Sequence, residues 1–381
     1  MTERPTARSP HLLRRINMTA VLSYAWDTDR FTATDVMAAT GLTRSTVLGI
    51  CDELTGRGWL TEVDPPEIGP ARSLGRPARW YALRPTHGWV VGVDAGQHHI
   101  TAAVGDLRGE ERSRVRHSGP TGRRSGEQRR AAVAGAIADA LARAGVDGDA
   151  VLAIVLAVPA PTDAAGDSPP GRGGYWRWMN PGFGSHVARP GRVVVVDNDA
   201  NLAALAEGSL GAGRGVASYA TLLAGERFGA GLVVDGRLLR GRRGAAGELS
   251  LLELVEGVGS TDGLAALARA WGTDLADLGE GDRQPMLDRL ADRLARVCAV
   301  VVGLLDVELV VVAGGAAAAA VPVVERAADL LGGYLHAPVP RLIASDLGVD
   351  VVLLGALQRA VTAVRADPLG FGGEGEEVTV F

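Results

Sequence analysis

Apolar residues near the start of the chain recur at helical spacing and predict three helices within residues 11–59. The second and third helices are joined by a turn containing Gly41, and the third begins near Thr43, a typical N-cap residue. Two apolar runs, residues 59–63 and 78–83, then predict short strands on either side of a loop rich in Gly, Pro and Arg. Three helices followed by such a hairpin predict a winged helix-turn-helix.

From residue 88 onward the pattern is that of an α/β protein, in which short apolar runs alternate with amphipathic segments. Predicted strands cover residues 89–93, 100–104, 151–158, 192–196, 219–223, 231–234, 308–313 and 351–354. Predicted helices cover residues 129–144, 201–210, 264–270, 285–305, 317–331 and 356–364. Long loops are predicted at 106–128 and 161–187, and the tail 366–381, which lacks periodicity, is predicted to be disordered.

The formal net charge is −5, but the charge is unevenly distributed along the chain. All 39 basic residues are arginine, and residues 1–85 hold 11 of them against 9 acidic residues, a net charge of +2. The rest of the chain holds 28 arginines against 35 acidic residues, a net charge of −7. Only the N-terminal unit therefore suits a polyanion such as DNA.

The two cysteines and the hydropathy of the chain limit the cellular compartments in which the protein is expected. Cys51 and Cys298 lie far apart in predicted helices, which excludes a disulfide framework and a cysteine-rich zinc site and favours a reducing cytoplasm. The most apolar stretch, residues 296–323, is interrupted by charged residues such as Asp306, so we expect no membrane span. No apolar region of the signal-peptide type follows Met1.

Five segments of the α/β region follow one another in a distinctive order. They are VGVDAG (91–96), DNDANLAALAEG (197–208), GAGLVVDG (229–236), GAAGEL (244–249) and VVAGGA (311–316). This order resembles the ROK family of bacterial sugar kinases and sugar-responsive repressors, and the resemblance covers about residues 88–365. It implies a two-lobed actin-like ATPase fold, and a winged helix-turn-helix ahead of that fold resembles the repressor branch. We therefore expect a DNA-binding unit in residues 1–85 and a ligand-sensing, dimerising ROK-like domain in residues 86–365.

Both loops that would hold ATP phosphates depart from the family pattern. Where the kinases resemble D-x-G-G-T, this chain has Asp94-Ala95-Gly96-Gln97-His98, which places bulk where a phosphate needs space. Where they resemble G-T-G-x-G, it has Gly225-Glu226-Arg227-Phe228-Gly229, which brings a carboxylate towards a triphosphate. We expect no cofactor and no kinase activity; the alternative is that Arg227 compensates Glu226 and ATP still binds.

Residues expected around the sugar match the family pattern better than the two phosphate loops do. Asp199 matches the family's catalytic base, Asn198 its neighbour and Glu248 a further hydroxyl-binding carboxylate. Glu256 resembles the glutamate of the family's zinc segment, and Asn180 resembles the asparagine that precedes the sugar-facing loop. The expected ligand-binding residues are therefore Asn180, Asn198, Asp199, Glu248 and Glu256. Without a phosphoryl donor, Asp199 would still hydrogen-bond a sugar hydroxyl.

The family's zinc segment is not kept. Its histidine is replaced by Leu251 and its cysteines are absent, so we expect no metal site. Apolar packing of residues 251–255 is expected to hold this loop instead. A sugar-like ligand, a non-sugar ligand and a structural relic without ligand all stay open.

In a helix-turn-helix, the N-terminal residues of the second helix enter the major groove of DNA. The expected DNA contacts are therefore Thr43, Arg44, Ser45 and Thr46, with Arg44 suited to a guanine or a phosphate. Arg76, in a Gly-Arg-Pro segment of the wing, resembles an arginine that enters a narrow minor groove.

Other distinctive residues have ordinary interpretations. His98 and His99 are adjacent in a strand, which favours one surface and one core histidine over a metal pair. Trp176 and Trp178 could stack on a sugar or anchor their loop. The arginines at 237, 240, 242 and 243 are expected to be solvated.

These features together predict a cytoplasmic, homodimeric transcriptional regulator, with repression as the expected effect, that binds double-stranded operator DNA and a sugar-like effector. The competing hypothesis is an ATP-dependent sugar kinase with an added DNA-binding unit. A third is a regulator without any small ligand, whose kinase-like domain only dimerises.

Overall fold

The computed structural model of the protein describes residues 10–66, 78–118, 125–225, 228–260, 262–270, 279–315 and 317–370. Its N-terminal unit contains the three predicted helices: α1 (Pro10–Trp26), α2 (Ala33–Thr40) and α3 (Arg44–Gly56). A small antiparallel sheet, in the order β1-β3-β2, consists of β1 (Phe31–Thr32), β2 (Leu60–Val63) and β3 (Trp80–Leu83). The predicted wing loop, with Arg76, lies outside the described residues.

Local sequence explains the boundaries of α2 and α3. The hydroxyl of Thr32 caps α2, and Asp35 bonds back to the Thr32 backbone N–H, which completes a capping box. The helix ends at Gly41, whose φ of 71° lies in the left-handed region that favours glycine. Thr43 caps α3 as predicted. One face of α3, centred on Val47 and Ile50, is buried against the other helices and the sheet.

The α/β region consists of two lobes. The five-stranded sheet of lobe I has the order β6-β5-β4-β7-β8. Its strands are β4 (Trp89–Asp94), β5 (His99–Gly105), β6 (Glu111–Ser118), β7 (Val151–Val158) and β8 (Val193–Asn198). Its helices are α4 (Gly126–Ala144), α5 (Tyr175–Met179) and α6 (Phe183–Val187).

Lobe II follows α7 (Asp199–Leu210), and its sheet has the order β11-β10-β9-β12-β13. The strands are β9 (Tyr219–Ala224), β10 (Phe228–Val234), β11 (Arg237–Leu238), β12 (Leu309–Ala313) and β13 (Arg341–Ala344). The helices are α8 (Leu264–Ala270), α9 (Glu280–Leu305) and α10 (Ala317–Tyr334). The chain then returns to lobe I with α11 (Val351–Ala366).

The two sheets repeat one topology. In each, the first three strands form an antiparallel meander, the fourth strand adds in parallel next to the first, and the fifth adds in parallel next to the fourth. This duplication confirms the predicted α/β class and its two-lobed architecture behind an N-terminal winged helix-turn-helix. No helix in the described ranges is both long enough and apolar enough to cross a membrane.

Several element predictions were wrong. Residues 351–354 form the first turn of α11, not a strand, because a run of four apolar residues has no periodicity that separates the two. The last strand is instead β13, and β6 lies inside the predicted loop 106–128; both are edge strands with mixed polarity. Within the predicted tail, Asp367 accepts two hydrogen bonds from Arg15, so this part is ordered; residues 371–381 lie outside the described residues.

The expected apolar packing of residues 251–255 is also wrong for two of them. Leu251 and Leu254 are 71% and 79% exposed. Residues 249–254 form a 3₁₀ turn with three residues per turn, so Leu249, Leu252 and Val255 face the core and the other two leucines face solvent.

Candidate functional site

The helix-turn-helix presents the predicted contact residues at the start of α3. Thr43, Arg44 and Ser45 are exposed and Thr46 is half-buried. The Thr43 hydroxyl accepts from the Thr46 N–H at 3.4 Å and lies 2.9 Å from the Thr46 hydroxyl, so it is engaged in the cap. Arg44, the first helical residue, extends from a turn with unpaired backbone N–H groups, an arrangement that suits a phosphate backbone.

The first phosphate loop contains a histidine side chain. Nε2 of His99, at the start of β5, lies 2.8 Å from Oδ2 of Asp94, at the end of β4. A Cβ added to Gly96 would lie 2.8 Å from the same imidazole ring. His98 is exposed as predicted, whereas His99 is half-buried against the loop. The space beneath the loop is therefore occupied by the protein itself.

A buried arginine fixes the other side of this loop. Arg129, on α4, is 3% exposed and donates to the carbonyl of Ala95 at 2.9 Å and that of Gly96 at 3.3 Å. Its guanidinium stacks on the ring of Trp178, 5.3 Å from the centroid. The first phosphate loop therefore directs the carbonyls of Ala95 and Gly96 towards the Arg129 guanidinium. Trp178 contributes to loop anchoring, one of the two roles considered for it, and Trp176 packs against Gly171.

Asp199 begins α7, where the chain passes from lobe I to lobe II. We call the region around Asp199, Asp94 of lobe I and Glu248 of lobe II the cleft. Burial raises the pKa of Asp199 to about 8, with the negative charge of Asp94 as the second cause and that of Glu248 as a smaller one. A hydrogen bond from the Ala200 N–H, at 2.8 Å, acts in the opposite direction. At neutral pH this carboxyl is mostly protonated and can donate a hydrogen bond to a ligand oxygen.

The backbone explains why Glu248 comes near Asp199. Residue 248 pairs with Gly229 in an isolated antiparallel bridge, and the Ala230 N–H donates to the Gly247 carbonyl at 3.0 Å. The same strand, β10, lies directly against the first turn of α7, since a Cβ at Gly231 would be 2.1 Å from the Ala200 carbonyl oxygen. Three carboxyl groups, from both lobes, therefore influence one another in the cleft.

The side-chain amides of Asn198 and Asn180 form hydrogen bonds mainly within the protein itself. The side-chain oxygen of Asn198 accepts from the N–H groups of Ala200 and Asn201, at 3.0 and 3.1 Å, and caps α7. The Asn180 amide donates to Gly166 and Ser168, while its buried oxygen has no hydrogen-bond partner. Asn198 thus positions Asp199, and Asn180 retains an acceptor.

Glu256 lies apart from these groups. Its side chain is exposed, and its backbone carbonyl accepts from Arg296 of α9 at 3.3 Å. Asp94, Glu248 and the cap of α7 surround Asp199, whereas Glu256 lies beside α9. Among the described residues, no group of three His, Cys, Asp or Glu side chains could hold a metal ion. Glu226 and Arg227 of the second phosphate loop lie outside the described residues.

One interaction beneath the cleft corrects the sequence interpretation. Arg240, expected to be solvated, donates to both carboxylate oxygens of Asp197, at 2.6 and 2.7 Å. Asp197 is 1% exposed and precedes the cap of α7. The residues are 43 positions apart, and only the hairpin geometry of lobe II brings them together. The acid–amide–acid pattern at 197–199 is the sequence feature that could have indicated a structural role for Asp197.

Comparison with known proteins identifies the fold family. The ROK family pattern matches residues 90–254. A ROK hexokinase from Thermus thermophilus is 31% identical, over 73% of this chain and 99% of the hexokinase, with a TM-score of 0.55. The chain belongs to the ROK family. This membership confirms the resemblance read from the five ordered segments.

Other relatives fall on both sides of the family. A ROK family transcriptional regulator, a homolog of the E. coli MLC protein, matches 94% of this chain and 98% of its own, with a TM-score of 0.71. Identity there is 20%, so this likeness concerns the fold alone. The bifunctional enzyme NanE/NanK of Brucella suis is 31% identical over 189 residues, 45% of this chain and 35% of the enzyme. This chain therefore spans about a third of that relative's length.

Proposed function

We propose that this ROK protein is a DNA-binding transcriptional regulator, most simply a repressor, and not a sugar kinase. The observation that carries the proposal is the N-terminal unit, which exposes Arg44 at the start of a capped recognition helix. The hexokinase alignment leaves more than a quarter of this chain unmatched, whereas the regulator alignment extends over 94% of it.

The first phosphate loop supports the absence of kinase activity. An ATP phosphate needs free backbone N–H groups and space, but His99 lies under this loop and Arg129 is bound by its carbonyls. The Asp94 carboxylate is engaged with the imidazole. Residues in this arrangement do not suit a triphosphate.

The cleft supports a role in sensing. Asp199 and Glu248 offer one mostly protonated carboxyl and a second carboxyl group, which suits a ligand with several hydroxyl groups. We assign the buried acceptor oxygen of Asn180, which has no hydrogen-bond partner, to the same ligand. A sugar-like effector that binds a closed state of the lobes more tightly than an open one would shift the population towards closure. In a cytoplasmic homodimer, closure would alter the separation of the two recognition helices.

The DNA-binding proposal is tested by Arg44→Ala, with Arg57→Ala as a matched control. Arg57 is also an exposed arginine, but it directly follows α3 and pairs with Glu53 at 2.7 Å. DNA fragments captured by the purified protein are sequenced, and affinity for the recovered site is then measured. Loss of Arg44 should weaken binding by about 1–3 kcal/mol, while the control stays near wild type. Absence of any enriched site, or equal affinities for both variants, contradicts the proposal.

The kinase alternative is favoured by one observation, the position of Asp199 at the start of α7, where a base would be needed. Coupled measurement of ATP turnover with hexoses and N-acetylhexosamines decides between the two. We expect no turnover above the background of Asp199→Asn. Sugar-dependent turnover that this substitution abolishes would establish the kinase.

A further inference from the structure

Two exposed leucines follow Glu248 along the chain. Among the large apolar side chains of the described residues, Leu254, Leu304 and Leu251 are the most exposed, at 79%, 78% and 71%. Leu251 and Leu254 belong to the 3₁₀ turn of residues 249–254, and Glu248 is the residue that precedes this turn. Single exposed leucines are normal on a protein surface, but two of them next to a binding cleft call for an explanation.

The period of the turn places both leucines on the side of Glu248. A 3₁₀ helix has three residues per turn, so side chains three positions apart lie above one another. Leu251 and Leu254 are therefore in line, and Glu248 lies one period before Leu251. Another side of the turn is anchored, because Leu252 is 8% exposed and packs in the core of lobe II together with Leu249. The turn therefore cannot rotate to bury the exposed pair without exposing the anchored one.

The backbone fixes Glu248 beside the first turn of α7. Residue 248 pairs with Gly229 in the isolated antiparallel bridge, and a Cβ at Gly229 would lie 3.3 Å from the Cβ of Ala200. Ala200 directly follows Asp199 in α7, and the charge of Glu248 reaches the Asp199 carboxyl. The two exposed leucines therefore continue outward from the carboxyl groups of the cleft.

Carboxyl groups and leucines suit different parts of one ligand. Asp199 and Glu248 suit hydroxyl groups, whereas a leucine side chain offers only apolar contact. Ser250, Glu253 and Glu256 are exposed along the same segment, so polar residues flank a narrow apolar strip formed by the two leucines. A strip of this width suits a single alkyl chain or an aromatic ring.

A second copy of the chain is a poorer occupant of this strip. A stable protein interface buries about 800 Å² on each partner, and its centre is well packed and more apolar than its rim. Two leucine side chains among exposed polar residues supply only a small part of such an area. Their continuity with the cleft favours a ligand that is bound in the cleft itself.

We propose that the effector is amphiphilic, an alkyl or aryl glycoside. Its sugar-like head is held by Asp199 and Glu248, and its alkyl or aryl group lies on Leu251 and Leu254. The inference rests on the proposed sensing function and deepens it, because it names the class of the ligand. Each methylene group that contacts the strip adds affinity, since removal of apolar surface from water is favourable in proportion to its area.

The test measures binding of glycosides to the full-length protein by isothermal titration calorimetry. The probes are the methyl, butyl, hexyl and phenyl glycosides of glucose, galactose, xylose and N-acetylglucosamine, each below its micelle concentration. For the recognised sugar, affinity should rise about two- to fourfold with each added methylene group, the range from partial to full burial. The phenyl glycoside should bind more tightly than the methyl glycoside.

Substitution separates the two parts of the ligand. Leu251→Ser and Leu254→Ser should each flatten the rise from methyl to hexyl glycoside to less than about twofold per methylene group. Leu304→Ser, at a leucine of similar exposure near the end of α9, is the matched control and should leave the rise unchanged. Glu248→Gln should instead weaken every member of the series by a similar factor, because it acts on the head.

Three results overturn the proposal. They are equal affinities for methyl and hexyl glycosides, a rise that both leucine variants leave intact, and binding of none of the probes. Dissociation of a dimer by Leu251→Ser or Leu254→Ser in sedimentation experiments also overturns it, since the strip would then belong to a second copy. Absence of an enriched DNA site would overturn the proposed function, and that result is obtained without any glycoside.

Discussion

At the scale of single residues, the Asp197–Arg240 pair shows how a buried charge sets the geometry of the cleft. Asp197 also accepts from the Asn198 N–H at 2.8 Å, and Asn198 in turn caps the helix that begins with Asp199. A carboxylate that is 1% exposed needs a compensating cation, and Arg240 supplies it with two hydrogen bonds. The position of Asp199 thus depends on an arginine that does not line the cleft.

Arg240→Ala should lower the free energy of unfolding by about 3 kcal/mol, the low end for a broken buried pair, because the removed side chain is partly exposed. Arg243→Ala, an exposed arginine three residues further on, should be neutral. Urea denaturation of both variants measures the difference. Equal stabilities would show that Asp197 is adequately solvated without its partner.

The raised pKa of Asp199 predicts how stability depends on pH. Because the folded state holds this proton up to about pH 8, the group stabilises the fold fully below its ordinary pKa of about 4. That contribution is lost as pH rises through about 8, and each pKa unit is worth about 1.4 kcal/mol. In wild type, Tm should therefore fall as the pH rises from about 4 to about 8. Asp199→Asn should make this fall smaller, whereas substitution of an exposed carboxylate in Glu256→Gln should leave it unchanged. Parallel Tm curves for wild type and Asp199→Asn would contradict the assignment.

The sequence indicated the cleft residues that belong to local motifs, and missed those whose partners are distant. Asp199 and Glu248 lie in recognisable segments, and the charge of Glu248 contributes to the raised pKa of Asp199. Strand alternation predicts only which face of the sheet His99 lies on, and it cannot show that the His99 ring bonds to Asp94. Arg129 was only the first residue of a predicted helix, since nothing local marks the carbonyls it binds.

At the scale of elements, long periodic segments were predictable and short edge strands were not. The helices α4, α7 and α10 match their predictions within a few residues. In α4 and α10 one face is consistently apolar, whereas α7 is buried on nearly all sides. The strand β6 has an arginine-rich sequence that suits a solvated sheet edge and carries no apolar alternation. Tertiary pairing, not local propensity, defines such strands.

Helix α11 gives an element-scale prediction. In Gly355→Ala the added methyl group meets the Leu202 carbonyl at 1.9 Å, so α7 and α11 must separate and the loss of stability should be about 3 kcal/mol or more. Gly135→Ala, inside α4 with nothing within 4 Å, should instead stabilise the protein by roughly 0.5–1 kcal/mol. Thermal unfolding of the two variants checks the contrast. Similar Tm changes would mean that the helices do not pack as closely as described.

At the scale of the whole molecule, the distribution of charge along the chain fits the proposed division between a DNA-binding unit and ligand-sensing lobes. Under the proposed function, the net charge of +2 in residues 1–85 and of −7 elsewhere would direct DNA towards the winged helix-turn-helix and away from the lobes. The excess is small, so contacts by individual side chains such as Arg44 must supply most of the specificity. In the proposed homodimer, the lobes would set the distance between the two recognition helices.

This division predicts how operator affinity depends on half-site spacing. If two copies bind as a homodimer, their recognition helices reach successive major grooves on one face of the duplex, about 10 base pairs apart. Inserting about 5 base pairs between the half-sites of the recovered operator turns one half-site to the opposite face, and affinity should fall towards that of a single half-site. Inserting a further half turn restores the face but lengthens the span, so recovery would report how far the lobes can separate. Electrophoretic mobility shifts with the three spacings, and with one half-site scrambled as control, measure this series. Affinity that is indifferent to spacing would show that each recognition helix binds independently, and the dimeric mechanism would then be excluded.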